Sequence, residues 1–169
     1  MKLQGIFPAL TTCFDHEGNL YRTKILHNIS KLNQIALSGY VVCGSTGETP
    51  LLTAEERIQI MNLVREASAD GRILIAGVGT ESVQETVSLA NRAAEAGYHA
   101  ALVLTPHYYR NQMQRPDTQE LYFRTVADRS KLPVLLYNIP AVTGYDLSVA
   151  TVAELSHHPN IIGMKDSSG

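Results

Sequence analysis

Short apolar runs rich in β-branched residues return at a nearly regular interval along this chain, and that period constrains its fold more than any other feature. The runs open near residues 5, 40, 72, 100, 133 and 161, a step of about 30 residues, which is the length of one β/α unit. Between them the apolar positions take helical spacing. In residues 21–36, Ile25, Leu26, Ile29, Leu32, Ile35 and Ala36 fall at three- and four-residue steps on one face. The pattern predicts strands over 5–12, 40–46, 72–78, 100–105, 133–139 and 161–165, and helices over 21–36, 54–68, 83–96, 118–129 and 147–157. Thr53 with Glu56 three residues on is a capping box at the start of the second helix. Gly97 stands where a left-handed cap closes the third.

Runs such as Val41–Val42, Leu102–Val103–Leu104 and Val134–Leu135–Leu136 do not alternate in polarity, as befits parallel strands covered on both faces. A doubly wound sheet usually carries a Gly-rich phosphate turn after its first strand, and Thr11–Thr12–Cys13–Phe14–Asp15 is not one. The (β/α)8 TIM barrel is therefore the expected α/β architecture. Such barrels take about 250 residues. Residues 1–169 would form a single partial domain holding only the first six strands, an incomplete barrel with two open edges.

With 44% apolar residues and a formal net charge of -2, the chain is of ordinary globular composition and has no basic footprint for nucleic acid. No apolar run nears the roughly 18 to 20 residues that span a bilayer. Residues 1–9 carry neither an apolar leader nor an Arg-rich presequence, so a cytoplasmic location is expected. Cys13 and Cys43 are too few for a disulfide framework and are read as reduced, half-buried thiols.

Reactive side chains cluster at the predicted strand ends, the catalytic face of a barrel. They are Gly44–Ser45–Thr46–Gly47–Glu48, Thr105–Pro106–His107–Tyr108–Tyr109, Tyr137–Asn138–Ile139–Pro140 and Gly163–Met164–Lys165–Asp166. A nucleophilic lysine needs surroundings that disfavour the ammonium form, and Lys165 emerges from an apolar strand toward what should be a barrel interior. The competing reading is a lysine snorkelling to solvent. Tyr137, on the neighbouring strand, could move a proton at the carbon the amine attacks, or could simply be a packed ring. The small residues at 44–48 could turn backbone N–H groups toward a carboxylate, with the Ser45 hydroxyl in reach, or form a plain Gly-rich turn. His107, Tyr108 and Tyr109 line a pocket, a subunit contact or open solvent. His157 and His158 complement a helix C-terminus and are assigned no chemistry.

Together the motifs at 44–48, 137–140 and 163–166, in this order and on these strands, resemble the dihydrodipicolinate synthase and N-acetylneuraminate lyase family. The resemblance implies a class I, pyruvate-dependent aldolase with no metal or other cofactor. It implies that Lys165 forms an imine with pyruvate or a 2-oxo acid, that Tyr137 shuttles protons, and that Ser45 and Tyr108 complete the relay. The backbone at Ser45 and Thr46 would hold the substrate carboxylate. Tyr108 would reach a neighbouring subunit's site, which implies a homo-oligomer, a tetramer or dimer. Within the family the synthase branch carries an arginine where this chain has Val142, so the 4-hydroxy-2-oxoglutarate aldolase branch is the nearer match; 4-hydroxy-tetrahydrodipicolinate synthase and N-acetylneuraminate lyase are the alternatives. A chain that stops four residues after Lys165 lacks the last strands that supply part of the pocket. A truncated product, inactive as it stands and serving as an interaction module, is the competing class of function.

Overall fold

The computed structural model describes residues 2–169; Met1, the first residue of the segment 1–9, lies outside them. The described chain divides into two compact units, residues 2–77 with 95–99, and residues 78–94 with 100–169. Both are built from parallel strands alternating with helices. No helix among the described residues is long and apolar enough to cross a membrane.

The first unit holds α1 (Arg22–Leu32), β1 (Gly39–Val42), α2 (Ala54–Ala67) and β2 (Ile73–Gly77). Strand β1 pairs in parallel with β2, Val41 facing Ile75. Gly39 and Gly77 are obligatory there. A Cβ on Gly39 would lie 1.8 Å from the Ile73 carbonyl oxygen, and one on Gly77 would lie 1.9 Å from that of Cys43. The strand predicted over 5–12 does not form. It is reduced to one parallel bridge, Ala9 with Val41, because Pro8 can accept a bond from the Val41 N–H but has no N–H to extend the ladder. Helix α1 ends at Leu32, short of the predicted 36, because side chains claim the backbone beyond it. The Arg72 guanidinium takes the carbonyls of Asn33, Ile35 and Leu37, and the Asn33 amide donates to Ala67 O at 2.7 Å. The capping box on α2 is present in both directions, and Gly97 has φ +83°. Both cysteines are free; burial pushes the Cys43 thiol up to about 12 and leaves it an inert packing group.

In the second unit α3 (Val83–Glu95, of which residues up to 94 belong here) precedes β3 (Ala100–Leu104), the short α4 (Arg110–Met113), α5 (Pro116–Arg129), β4 (Val134–Asn138), the short α6 (Pro140–Thr143), α7 (Val149–Leu155) and β5 (Ile161–Asp166). Strand β4 pairs in parallel with β3 on one side and β5 on the other, and every one of its residues is buried. Strand β5 begins buried at Ile161, is exposed at Gly163, Met164 and Asp166, and is half-buried at Ile162 and Lys165. Its register steps at Val134/Leu135, so Ile162 faces no partner and Gly163 meets Leu135. Helices α5 and α7 pack together, with Phe123, Val126 and Leu155 fully buried. Of the histidines at 157 and 158, the first is exposed and the second is structural. His158 bridges Asp128 at 3.0 Å and accepts from Asn160 N, closing the turn that leads into β5.

Candidate active site

The register step in β5 decides what Lys165 touches. After it, Leu136 faces Met164, Tyr137 faces Lys165 and Asn138 faces Asp166. Residues paired across parallel strands project to the same side, and the Lys165 amine sits 4.0 Å from the centre of the Tyr137 ring. Tyr137 is 4% exposed, so its ring is fixed by the packing of β4, whereas Lys165 is half-buried and its neighbour Met164 is 40% exposed. Among the described residues β5 pairs only with β4.

A residue whose role the sequence reading did not foresee fixes the ends of these two strands. Asn138, buried at the last position of β4, donates from one amide nitrogen to Asp146 and Asp166, both at 3.0 Å, and accepts from Leu147 N at 3.1 Å. Its carbonyl accepts from Ser167 N at 2.9 Å. The Asn138 amide, followed by the Ser168 hydroxyl and the N–H groups of Ser168 and Ser167, holds the Asp166 carboxyl below its ordinary value. Lys165 is thus bracketed by a clamped residue on its C-terminal side and by a buried partner across the sheet. A polar residue ending a wholly apolar strand was the visible signal.

Tyr108 lies on the loop after β3 in the same unit. It is 77% exposed and meets Tyr109 edge-on, with ring centres 5.1 Å apart. Its amide and that of His107 donate to Glu81, while Pro106 O accepts from the Tyr145 hydroxyl. Burial pushes the Tyr145 hydroxyl upward. The structure unites Lys165 with Tyr137; Tyr108 stands on a separate loop.

Ser45 and Thr46 belong to the first unit, exposed on a single 3-10 turn, Ser45–Gly47, that leaves β1 directly. Cys43 and Glu48 flank it with φ of 56° and 57°, a conformation non-glycine residues rarely hold. The turn is braced by Gly47 N to Gly44 O at 2.9 Å, by the Thr49 hydroxyl to Gly44 O at 3.0 Å and by the Thr12 hydroxyl to Gly47 O at 2.7 Å. It is a firmly built turn rather than a loose Gly-rich link.

Among the described residues no three His, Cys, Asp or Glu side chains gather as a metal-holding group.

The family described as dihydrodipicolinate synthetase matches residues 2–169. A curated relative, the 4-hydroxy-tetrahydrodipicolinate synthase of Methanothrix thermoacetophila, is 38% identical over 98% of this chain and 55% of its own length. Among solved structures, the 4-hydroxy-tetrahydrodipicolinate synthase of Methylacidiphilum fumariolicum superposes with a TM-score of 0.93 at 31% identity, over 99% of this chain and 55% of that one. A catalytic-lysine mutant of the Ruminococcus gnavus sialic acid aldolase does so at 0.89 and 25% identity, over 97% and 53%. The chain thus spans about half the length of the relatives it matches, and its strands and helices are those of an incomplete (β/α)8 barrel. On sequence and fold alike, this chain belongs to the dihydrodipicolinate synthetase family.

Proposed function

We propose that Lys165 is the Schiff-base nucleophile of a carbon–carbon lyase acting on pyruvate or a related 2-oxo acid. The observation that carries the reading is the amine of Lys165 held 4.0 Å over the buried Tyr137 ring. The sialic acid aldolase neighbour, whose mutated lysine is described as catalytic, supports it.

In this reading the neutral amine attacks the keto carbon and water leaves, forming an imine. The imine withdraws electrons, so loss of a proton from the adjacent carbon gives an enamine, which adds to an aldehyde; the reverse sequence cleaves the bond. Tyr137 moves the proton, Ser45 and Tyr108 complete the relay, and the turn at Ser45 and Thr46 holds the carboxylate. The protein works as a homo-oligomer, and the imine itself is the electron sink, so the chemistry calls for no added cofactor.

The reading of the acceptor rests on Val142, an apolar, 45% exposed side chain on α6, at the position where the family resemblance implies an arginine for a second carboxylate in the synthase branch. That favours cleavage of 4-hydroxy-2-oxoglutarate to pyruvate and glyoxylate. The names of the curated relatives favour 4-hydroxy-tetrahydrodipicolinate synthesis instead. Incubating the chain with pyruvate in heavy water tests the common step, since enamine formation exchanges the methyl protons. Adding glyoxylate or aspartate semialdehyde then separates the two acceptors. A folded chain that leaves the methyl protons unexchanged would remove the aldolase reading and leave the interaction module in front.

A further inference from the structure

The loop that carries Tyr108 is held from two sides. Both oxygens of Glu81 lie 3.1 Å from the His107 N–H, and one of them also accepts from the Tyr108 N–H at 3.1 Å. The His107 ring nitrogen Nδ1 is 3.1 Å from the other oxygen. On the far side the Tyr145 hydroxyl donates to Pro106 O. Two consecutive amides on one carboxylate make a charge-assisted grip stronger than any neutral acceptor would provide.

Glu81 is itself anchored. Its neighbour Thr80 donates its N–H to the Thr86 hydroxyl at 3.1 Å and its hydroxyl to Ser82 O at 2.9 Å. The buried Tyr122 hydroxyl lies 3.1 Å from that of Thr86 and donates to Thr80 O at 3.2 Å. A line of bonds therefore runs from the core hydroxyls of Tyr122 and Thr86, through Thr80 and Glu81, to the Tyr108 amide. The Tyr108 ring is 77% exposed and touches Tyr109 edge-on, so within this chain the backbone sets where it points.

We propose that Glu81 is a positioning residue, holding the His107–Tyr108 backbone so that the Tyr108 hydroxyl stands where the proton relay requires it. This rests on the reading of Tyr108 as a relay group. The carboxylate fills, from within the chain, a site for a small anion.

Glu81→Ala and Glu81→Gln in the full chain test it. Amide hydrogen exchange at His107 and Tyr108 should quicken in Glu81→Ala by about ten- to a hundredfold, the span of a charge-assisted bond, and by less in Glu81→Gln, which keeps one acceptor oxygen and serves where the alanine variant folds poorly. Exchange of the pyruvate methyl protons should fall about tenfold in Glu81→Ala, while the borohydride-trapped adduct on Lys165 forms as in the wild type. Added formate should restore both protection and exchange by entering the vacated site; the readout that a purely structural role would not give is slower methyl exchange with an undiminished Lys165 adduct. Unchanged protection at residues 107 and 108, or opened amides with undiminished methyl exchange, would overturn the proposal. A wild-type chain that forms no Lys165 adduct, or a Tyr108→Phe variant with normal exchange, would instead sink the underlying site reading. Amide exchange and its recovery in formate would then still decide whether Glu81 holds the loop.

Discussion

Strands β4 and β5 lie side by side, yet one is buried at every position and the other only at Ile161. Each carries one member of the proposed catalytic pair. Tyr137 sits on the buried strand and Lys165, half-buried, on its neighbour. A proton-transfer group works by being fixed within hydrogen-bond reach of a reacting carbon, and the packed strand supplies that. The nucleophile must meet an incoming ketone, and across the strand pair the half-buried amine faces the Tyr137 ring at 4.0 Å. The Asn138 clamp joins the two strand ends, so the less buried strand keeps its place.

The sharpest way to break this comparison is to remove the hydroxyl and keep the ring. Tyr137→Phe should slow pyruvate methyl exchange by about 10²–10⁴-fold while trapping of the imine persists; undiminished exchange would take Tyr137 out of the mechanism. The next largest effect concerns stability. Leu136 is 1% exposed and faces Met164 across the pair, so urea unfolding should show Leu136→Ala costing about 2–5 kcal/mol and Met164→Ala within about 0.5 kcal/mol. Equal losses would mean that β5 is packed as tightly as β4. Asn138→Ala strips the bonds to Asp146, Asp166 and Leu147 and should cost about 1–3 kcal/mol, along with lost amide protection at Ser167 and Leu147. The smallest effect is one of pH. The Asp166 carboxyl is held below its ordinary value, so its bonds add stability above that range and lose it as pH falls through the lowered value, below about pH 4. An acid titration of wild type against Asp166→Asn should therefore show the wild-type advantage fading only at that end.

Local signals in the sequence translated well. Thr53 with Glu56, Gly97 at its positive φ, and the apolar runs that became β1 to β5 each needed only a few neighbouring residues to be read. The losses came where a distant partner decided the outcome. Residues 5–12 have strand composition, but Pro8 cannot donate and a single bridge remains. Helix α1 stops early because Arg72, some forty residues on, takes the carbonyls that follow it. The short helices α4 and α6 are too brief to leave a periodic trace. Within the candidate site, the neighbourhood of Lys165 and Tyr137 was legible from strand order. The Asn138–Asp166 clamp was not, since it depends on a register step at Ile162 that composition does not reveal. Nor was the grip of Glu81 on a loop 26 residues away, which only the folded second unit brings together.

The central claim is that Lys165 forms the imine, and the most direct measurement is borohydride reduction of the chain with pyruvate, read by intact and peptide mass spectrometry with Lys165→Ala as control. A pyruvate-sized increment confined to the Lys165 peptide and absent from the alanine variant is the predicted result. A folded chain that gains no increment, or gains it equally without Lys165, would contradict the assignment.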